Sequence, residues 1–212
     1  VTKILKSETS PGKFLENTEK LLIGGSSIPA PLEKALQNVF TACYSSYGMT
    51  ETATHVALRK INGIDADGWY HCLENIHVSL SAEGCLQIYL PGLENLPQQT
   101  TDLAELKNEK TFRILGRIDN VIISGGIKFS PEQLEKKLEP LISERFLISS
   151  LPHESLGQQL ILVVEGKENK ETIEKLNEIC RQQLNRYEQP KQIIFKDKLP
   201  RLPNGKIDRL NV

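Results

Sequence analysis

Residues 116–126, Gly-Arg-Ile-Asp-Asn-Val-Ile-Ile-Ser-Gly-Gly, constrain this chain more than any other stretch. A charged Arg-x-Asp turn runs into an apolar strand that stops at a glycine pair. A plain core strand has no use for either end. The glycine pair leaves backbone bare, so that something can approach it closely. Arg117 and Asp119 stand just before it, and in an extended segment their side chains point the same way. The block lies near the middle of the 212 residues, where the composition changes, and reads as a functional joint between two domains.

A chain of this length holds one large domain or two modest ones. Its 26 basic residues against 27 acidic leave a net charge of −1, which argues against non-specific nucleic-acid binding. No apolar run approaches the roughly 18 residues a membrane helix needs. Val1 to Lys20 is mixed and polar, without the pattern of a signal peptide. Cys43, Cys72, Cys85 and Cys180 form no Cys-x-x-Cys pair and have apolar or aromatic neighbours, as expected of reduced cysteines in a cytoplasmic protein. His55, His71, His77 and His153 are scattered, so no metal site is expected from them.

Before the joint the pattern is α/β. Leu21 to Ser27 is a short apolar strand ending in Gly-Gly-Ser-Ser. Leu32, Leu36, Val39 and Phe40 follow at helical spacing. In such folds ligands gather at the carboxyl ends of strands. Phe40 to Tyr47 is rich in strand formers. Ile76 to Leu80 and Cys85 to Leu90 alternate about Ala82-Glu83-Gly84, which predicts a hairpin. Pro91 to Gln99 reads as a loop and Thr111 to Leu115 as a strand.

Beyond the joint a small α+β unit of roughly 95 residues is expected, a workable size for independent folding. Ser130-Pro-Glu-Gln133 signals a helix start, with Leu134, Leu138 and Leu141 on one face. Phe146 to Ser150 and Gln159 to Glu165 read as strands. Lys170 to Tyr187 reads as an amphipathic helix burying Ile173, Leu176, Cys180 and Leu184. Gln192 to Phe195 is a last strand, followed by a proline-punctuated loop.

Three further stretches carry groups suited to chemistry. In Tyr47-Gly-Met-Thr-Glu51, Gly48 permits a turn, Thr50 offers a hydroxyl and Glu51 a hard oxygen ligand, the set a magnesium–phosphate site uses. In Thr100-Thr-Asp102 a carboxylate after a loop can accept both hydroxyls of a ribose. In Leu199 to Arg209, Pro200 and Pro203 stiffen the approach to Asn204-Gly205, a tight turn that presents Lys206. An ammonium on a long stem bridges phosphate and carboxylate oxygens. Taken singly, each stretch also fits a polar loop, a common turn or a solvated tail.

Taken in order, these blocks resemble the acyl-adenylate-forming superfamily of acyl-CoA synthetases, peptide-synthetase adenylation domains and luciferases. That family carries a Tyr-Gly-Met-Thr-Glu block, then Thr-Gly-Asp, then a Gly-Arg-x-Asp…Gly-Gly joint, then a C-terminal Pro-x-x-x-x-Gly-Lys. The resemblance covers nearly the whole chain. It implies the C-terminal portion of the large AMP-binding domain over 1–116 (mixed sheet, hairpins and helices), a hinge at 117–119 and a small mobile α+β domain over 120–212.

The resemblance further implies roles. Gly24, Gly25 and Ser26 match the loop near adenine, with Tyr47 and Gly48 in the adenine pocket. Thr50 matches a phosphate contact and Glu51 the magnesium ligand. Asp102 and Arg117 match the ribose binders, and Asp119 the hinge residue. Gly125 and Gly126 match the backbone that the thiol arm of coenzyme A passes, and Lys206 the lysine that binds carboxylate and α-phosphate. Thr101 stands where the family has glycine. The family's phosphate loop ending in Pro-Lys-Gly does not occur before Leu21, which implies a missing N-terminal part and no turnover by these residues alone.

Tyr47 to His55, with Ala57 to Gly63, looks most like the o-succinylbenzoate–CoA ligases of menaquinone synthesis, and His55 is a candidate for the acid pocket. The implied reaction takes ATP with magnesium, a small carboxylic acid and coenzyme A, forms AMP and pyrophosphate, and involves neither nucleic acid nor membrane. Aryl- or fatty-acyl-CoA ligases and carrier-loading adenylation domains are the neighbouring readings. A non-catalytic nucleotide-binding module is the alternative of another class.

Overall fold

A computed structural model of the protein describes residues 15, 17–25, 28–93, 95–202 and 207–212. The chain divides into two compact units, Val1–Ile114 and Leu115–Val212.

In the first unit β1 (Lys20–Ile23) leads through helix α1 (Ala30–Leu36) to β2 (Ala42–Gly48), which pairs parallel to β1. The helix lays Leu32 and Leu36 over Leu21, Ile23, Cys43 and Ile61. It stops at Leu36, one turn earlier than the spacing of Phe40 suggests, and Phe40 is fully exposed. Asn62 holds this corner together from a buried position. Its Nδ2 donates to the carbonyls of Leu36, Val39 and Thr41, and its Oδ1 accepts the Cys43 N–H at 2.9 Å. The chain between α1 and β2 would otherwise bury these peptide groups without partners.

The unit continues with β3 (His55–Lys60), β4 (Tyr70–Cys72), β5 (His77–Leu80), β6 (Cys85–Tyr89), β7 (Gln98–Asn108) and β8 (Thr111–Arg117). The order across the sheet is β1-β2-β3-β4-β8-β7-β6-β5. The expected hairpin is present as antiparallel β5 and β6. Strands β3, β4 and most of β7 are additions to the sequence reading. Val56, Ile76, Val78, Leu86, Ile88 and Phe112 form the core of this region.

The second unit begins within the end of β8 and continues with a 3-10 turn at Ile118–Asn120, then β9 (Ile122–Ser124), β10 (Ile127–Phe129), helix α2 (Pro131–Leu138), β11 (Phe146–His153), β12 (Gly157–Glu165), helix α3 (Lys170–Gln183) and β13 (Gln192–Lys196). Strand β12 is central: it runs antiparallel to β11 and β9 and parallel to β13. Its run Leu160 to Val164 is apolar at every position because both faces are covered. Leu160, Leu162 and Val164 pack with Leu134, Leu138, Leu176 and Cys180 from the helices. Ile161 and Val163 face the other way, against Leu147 and Leu199.

Three expectations are corrected here. Ser130 precedes α2 without capping it through its side chain. Its Oγ donates to the Leu115 carbonyl at 3.1 Å instead. Leu141 lies beyond the helix end and is exposed, and Ile142 takes the buried place. Helix α3 ends at Gln183, four residues before Tyr187, where Leu184 turns extended while staying buried. All four cysteines are free thiols. No helix among the described residues is long and apolar enough to cross a membrane.

Candidate functional site

Strands β1 and β2 are parallel neighbours; Gly24 follows the first and Gly48 ends the second. In a sheet of this kind the space beyond the carboxyl ends is where a ligand finds room and bare backbone. An open depression of about 460 Å³ lies there, lined by Gly25, Ser46, Gly48, Thr50, Thr54 and His55 among others. Gly24 packs against the Ser46 hydroxyl, so closely that a Cβ would sit 2.4 Å from Oγ. At Gly48 a Cβ would lie 2.5 Å from the Thr54 carbonyl oxygen and 2.7 Å from the His55 Cα. Backbone approach therefore requires glycine at 48, whereas at 24 a side chain would displace the Ser46 hydroxyl. Gly25 has φ +85° with open space around it.

The segment after Gly48 is a single 3-10 turn, Thr50–Thr52. Thr52 pins it from inside: its hydroxyl accepts the Met49 N–H at 3.1 Å and reaches the Thr54 carbonyl at 2.7 Å. Thr50 and Glu51 are thereby held on the exposed side. The structure thus gathers Gly25, Gly48, Thr50 and His55 at one depression, with Gly24 and Glu51 as neighbours in the chain.

Tyr47 points to the opposite face of β2 from Ser46. Its hydroxyl donates to Asp102 Oδ2 at 2.6 Å. Asp102 lies inside β7, which corrects its placing directly after a loop. Its N–H donates to Thr100 Oγ1 at 3.1 Å, and Thr100 itself donates to the Leu86 carbonyl. The Tyr47 ring packs edge-on to Phe112, with centroids 5.3 Å apart, and Tyr70 stacks on Phe112 at 5.5 Å. Burial first, then the Asp102 carboxylate, pushes the Tyr47 phenol above its usual range. The phenol thus remains a proton donor and fixes the direction of the carboxylate. Arg59 extends the network, donating to both oxygens of Glu33 at 2.7 and 3.0 Å while lying over the Tyr70 ring.

In the second unit Arg117 Nη2 donates to Asp119 Oδ2 at 3.0 Å, both side chains exposed. Gly125 and Gly126 form the two-residue turn between β9 and β10, with φ of +57° and +81°. Two positive φ values are what a two-residue hairpin needs, and glycine adopts them without strain. The turn is exposed. Lys206 and Ser26 lie outside the described residues. The chain on either side of 203–206 is tied together, with Arg201 bridged to Ile207 and the Asp208 N–H donating to the Pro200 carbonyl.

Among the described residues no three His, Cys, Asp or Glu side chains converge as a metal cage. Magnesium is commonly held by one carboxylate together with substrate phosphates and waters, and Glu51 offers one exposed carboxylate at the 3-10 turn. Burial pushes the Cys72 and Cys180 thiols up to about 11, which leaves them poor nucleophiles at neutral pH. The lining residues Ser46 and Thr54 went unread in the sequence. Alternation along β2 was the available signal for Ser46, because it puts that side chain on the face away from Tyr47.

Residues 147–206 match the AMP-binding enzyme C-terminal domain. The 2-succinylbenzoate–CoA ligase of Lactococcus lactis is 29% identical over 211 residues, which cover 91% of this chain and 46% of that protein. An acyl-CoA synthetase (AMP-forming)/AMP-acid ligase II-like protein of Dyadobacter fermentans is 33% identical, with a TM-score of 0.54 over 99% of this chain and 61% of that one. The o-succinylbenzoate CoA synthetase of Bacillus subtilis, solved with its acyl-adenylate intermediate, superposes with a TM-score of 0.76 at 22% identity, covering 93% of this chain and 48% of that one. The chain thus carries a match to the AMP-binding enzyme C-terminal domain and has the fold of the C-terminal part of acyl-adenylate-forming enzymes. In sequence it is similar to the 2-succinylbenzoate–CoA ligases, and it spans about half the length of the curated relatives it matches.

Proposed function

We propose that this chain works in an ATP-dependent acid–thiol ligase that adenylates a carboxylic acid, o-succinylbenzoate, and passes the acyl group to coenzyme A. The observation that carries the reading is the meeting of the β1 end, the β2 end and the Thr50–Thr52 turn at one glycine-lined depression. In the first step a carboxylate oxygen attacks the α-phosphorus and pyrophosphate leaves. In the second the thiol sulfur attacks the acyl carbonyl and AMP leaves. Both steps move negative charge about one phosphate, so positioning and electrostatics dominate.

In this reading Gly24, Gly25, Ser26, Tyr47 and Gly48 border the adenine, and Asp102, oriented by Tyr47, accepts from the ribose with help from Arg117. Thr50 meets phosphate oxygens. Glu51 holds magnesium, which when bound neutralises phosphate charge. Lys206 is assigned to clamp the carboxylate and α-phosphate in adenylation. An ammonium with an unperturbed pKa near 10.4 stays charged at neutral pH, so its part is electrostatic. Gly125 and Gly126 take the thiol arm of coenzyme A. The small domain, 120–212, turns about 117–119 between the steps.

The test has two arms. The protein produced from its gene is given ATP, coenzyme A and a panel of acids, with pyrophosphate release as the readout. A marked preference for o-succinylbenzoate is expected. A preference for aryl or fatty acids supports the second reading, an acyl-CoA ligase of other specificity. In the other arm the 212 residues alone are titrated with AMP by calorimetry. They are expected to bind AMP without turnover, and Gly48→Ala to weaken binding about tenfold or more because its Cβ collides with backbone. Absence of AMP binding, or acyl-CoA formation by the isolated 212 residues, would sink this assignment of parts.

A further inference from the structure

The Gly125–Gly126 turn sits on a very short hairpin, three residues in each of β9 and β10. A two-stranded hairpin this small is barely stable alone, and a glycine pair has the widest backbone freedom of any turn. The turn is fixed by the tip of another hairpin, where β11 passes into β12. Three successive residues make the joint. The Gly125 N–H donates to the Leu156 carbonyl at 3.0 Å. Ser124 pairs with Gly157 across the strands. The Ile123 N–H donates to Oε1 of Gln158 at 3.0 Å. In that third contact a side chain stands where a neighbouring strand would normally supply a carbonyl.

Gln158 is held at its other end too. Its Nε2 donates to Ser150 Oγ at 3.2 Å on β11. Gln158 registers with Pro152 and Ser150 with Leu160, so the two are diagonal neighbours on one face of the β11–β12 pair. A backbone N–H as partner leaves only the amide oxygen to face Ile123, so the orientation of the side chain is set. His153 shapes the turn between them: its Nδ1 accepts the N–H groups of Ser155 and Leu156 at 3.3 Å each. That bond network presents the Leu156 carbonyl to Gly125. The approach is close enough that a Cβ on Gly125 would lie 3.1 Å from the Leu156 Cδ2.

We propose that Gln158 is a positioning residue that latches β9 to β12 and so sets where the Gly125–Gly126 backbone stands for the thiol arm of coenzyme A. The role in thiol positioning rests on the reading of the turn under the proposed function. The latch itself is measured separately.

Amide exchange is followed by NMR in the 212-residue chain for the parent, Gln158→Leu and Gln158→Glu. Leucine removes the acceptor, while glutamate keeps one. In Gln158→Leu the Ile123 and Gly125 amides are expected to exchange about tenfold faster, the loss of one ordinary hydrogen bond. In Gln158→Glu they return to within about twofold of the parent, and the Leu162 amide in the centre of β12 stays unchanged throughout. Coenzyme A titrated into the same samples is expected to bind several-fold more weakly to Gln158→Leu only. Unchanged exchange at Ile123 and Gly125 overturns the latch, as does equal acceleration at Leu162, which would report general loosening. Faster exchange at the turn with equal coenzyme A affinity overturns the positioning role. No coenzyme A binding by the parent overturns the reading of the turn, while exchange still decides the latch. Ser150→Ala, which leaves the acceptor in place but frees its far end, gives a milder second variant expected to speed Ile123 about threefold.

Discussion

A phenol that donates to a carboxylate at 2.6 Å in a half-buried place makes that contact depend on pH through the phenol. Burial and Asp102 raise the Tyr47 pKa in the folded chain above its value in the unfolded one. The bond's contribution is therefore complete below the unfolded tyrosine's pKa of about 10. It declines above that point, because the unfolded chain then releases a proton that the folded chain retains, and it is gone once the folded pKa is passed. In a spectrophotometric titration one of the five tyrosines should resist ionisation until the chain unfolds, and Tyr47→Phe should remove that late component. The same substitution should lower stability by about 1–2 kcal/mol in urea at neutral pH and weaken AMP binding, since Asp102 loses its guide. At this scale the sequence announced Tyr47 and Asp102 separately, by their motifs. Their bond spans 55 positions, and nothing in local spacing forecasts a partner at that distance.

Elements show the same division between what periodicity carries and what it does not. Helix α3 was legible because Leu176 and Cys180 repeat at one turn and Asn169 caps its start, accepting the Glu171 N–H at 2.9 Å. Strand β12 was legible as an unbroken apolar run. Strand β7 was not, because its residues are Gln, Thr, Asp, Glu, Lys and Asn with only Leu103, Ala104 and Leu106 apolar, and its pairing with β6 and β8 rather than its own pattern makes it a strand. In β3 the buried Val56 and Ala57 are adjacent, which hides the alternation. Helix α2 shows how an element can be tied by charge. Glu135 on it accepts from Arg209 and, at 2.7 Å, from the Ile148 N–H, while Arg209 also donates to the Ile148 carbonyl. Burial pushes the Glu135 carboxyl up, and the Arg209 guanidinium pulls it back. Arg209→Met should cost about 3 kcal/mol by leaving a buried carboxylate unpaired, while Glu135→Leu with Arg209→Met should recover most of that. Chemical denaturation of the two variants checks this, and equal loss in both would show that the pair contributes net stability.

For the molecule as a whole, the division falls between Ile114 and Leu115, inside β8 and three residues before Ile118. Each unit has its own core, so a change at the connection need not disturb either. The proposed pivot at 117–119 carries an exposed Arg117–Asp119 pair, and exposed pairs of this kind contribute little stability. A few such residues are what a hinge uses to absorb a change in backbone angles. Asp119→Pro should slow acyl transfer to coenzyme A by tenfold or more while adenylation, read by pyrophosphate release, changes less than about threefold. Equal slowing of both steps would argue for misfolding rather than a blocked turn.

Strand β1 closes one end of the eight-stranded sheet and, among the described residues, bonds a single neighbour, β2. Its far side is a row of peptide groups at strand spacing, which accepts any extended segment of suitable length. Of its four residues only Lys20 is charged, and Leu22 is 48% exposed. Lys20 places one charge on this edge, and dissolved salt shortens the reach of repulsion between like charges. Self-association by strand addition should therefore grow with ionic strength and protein concentration together, which sets the practical conditions for handling the chain in solution.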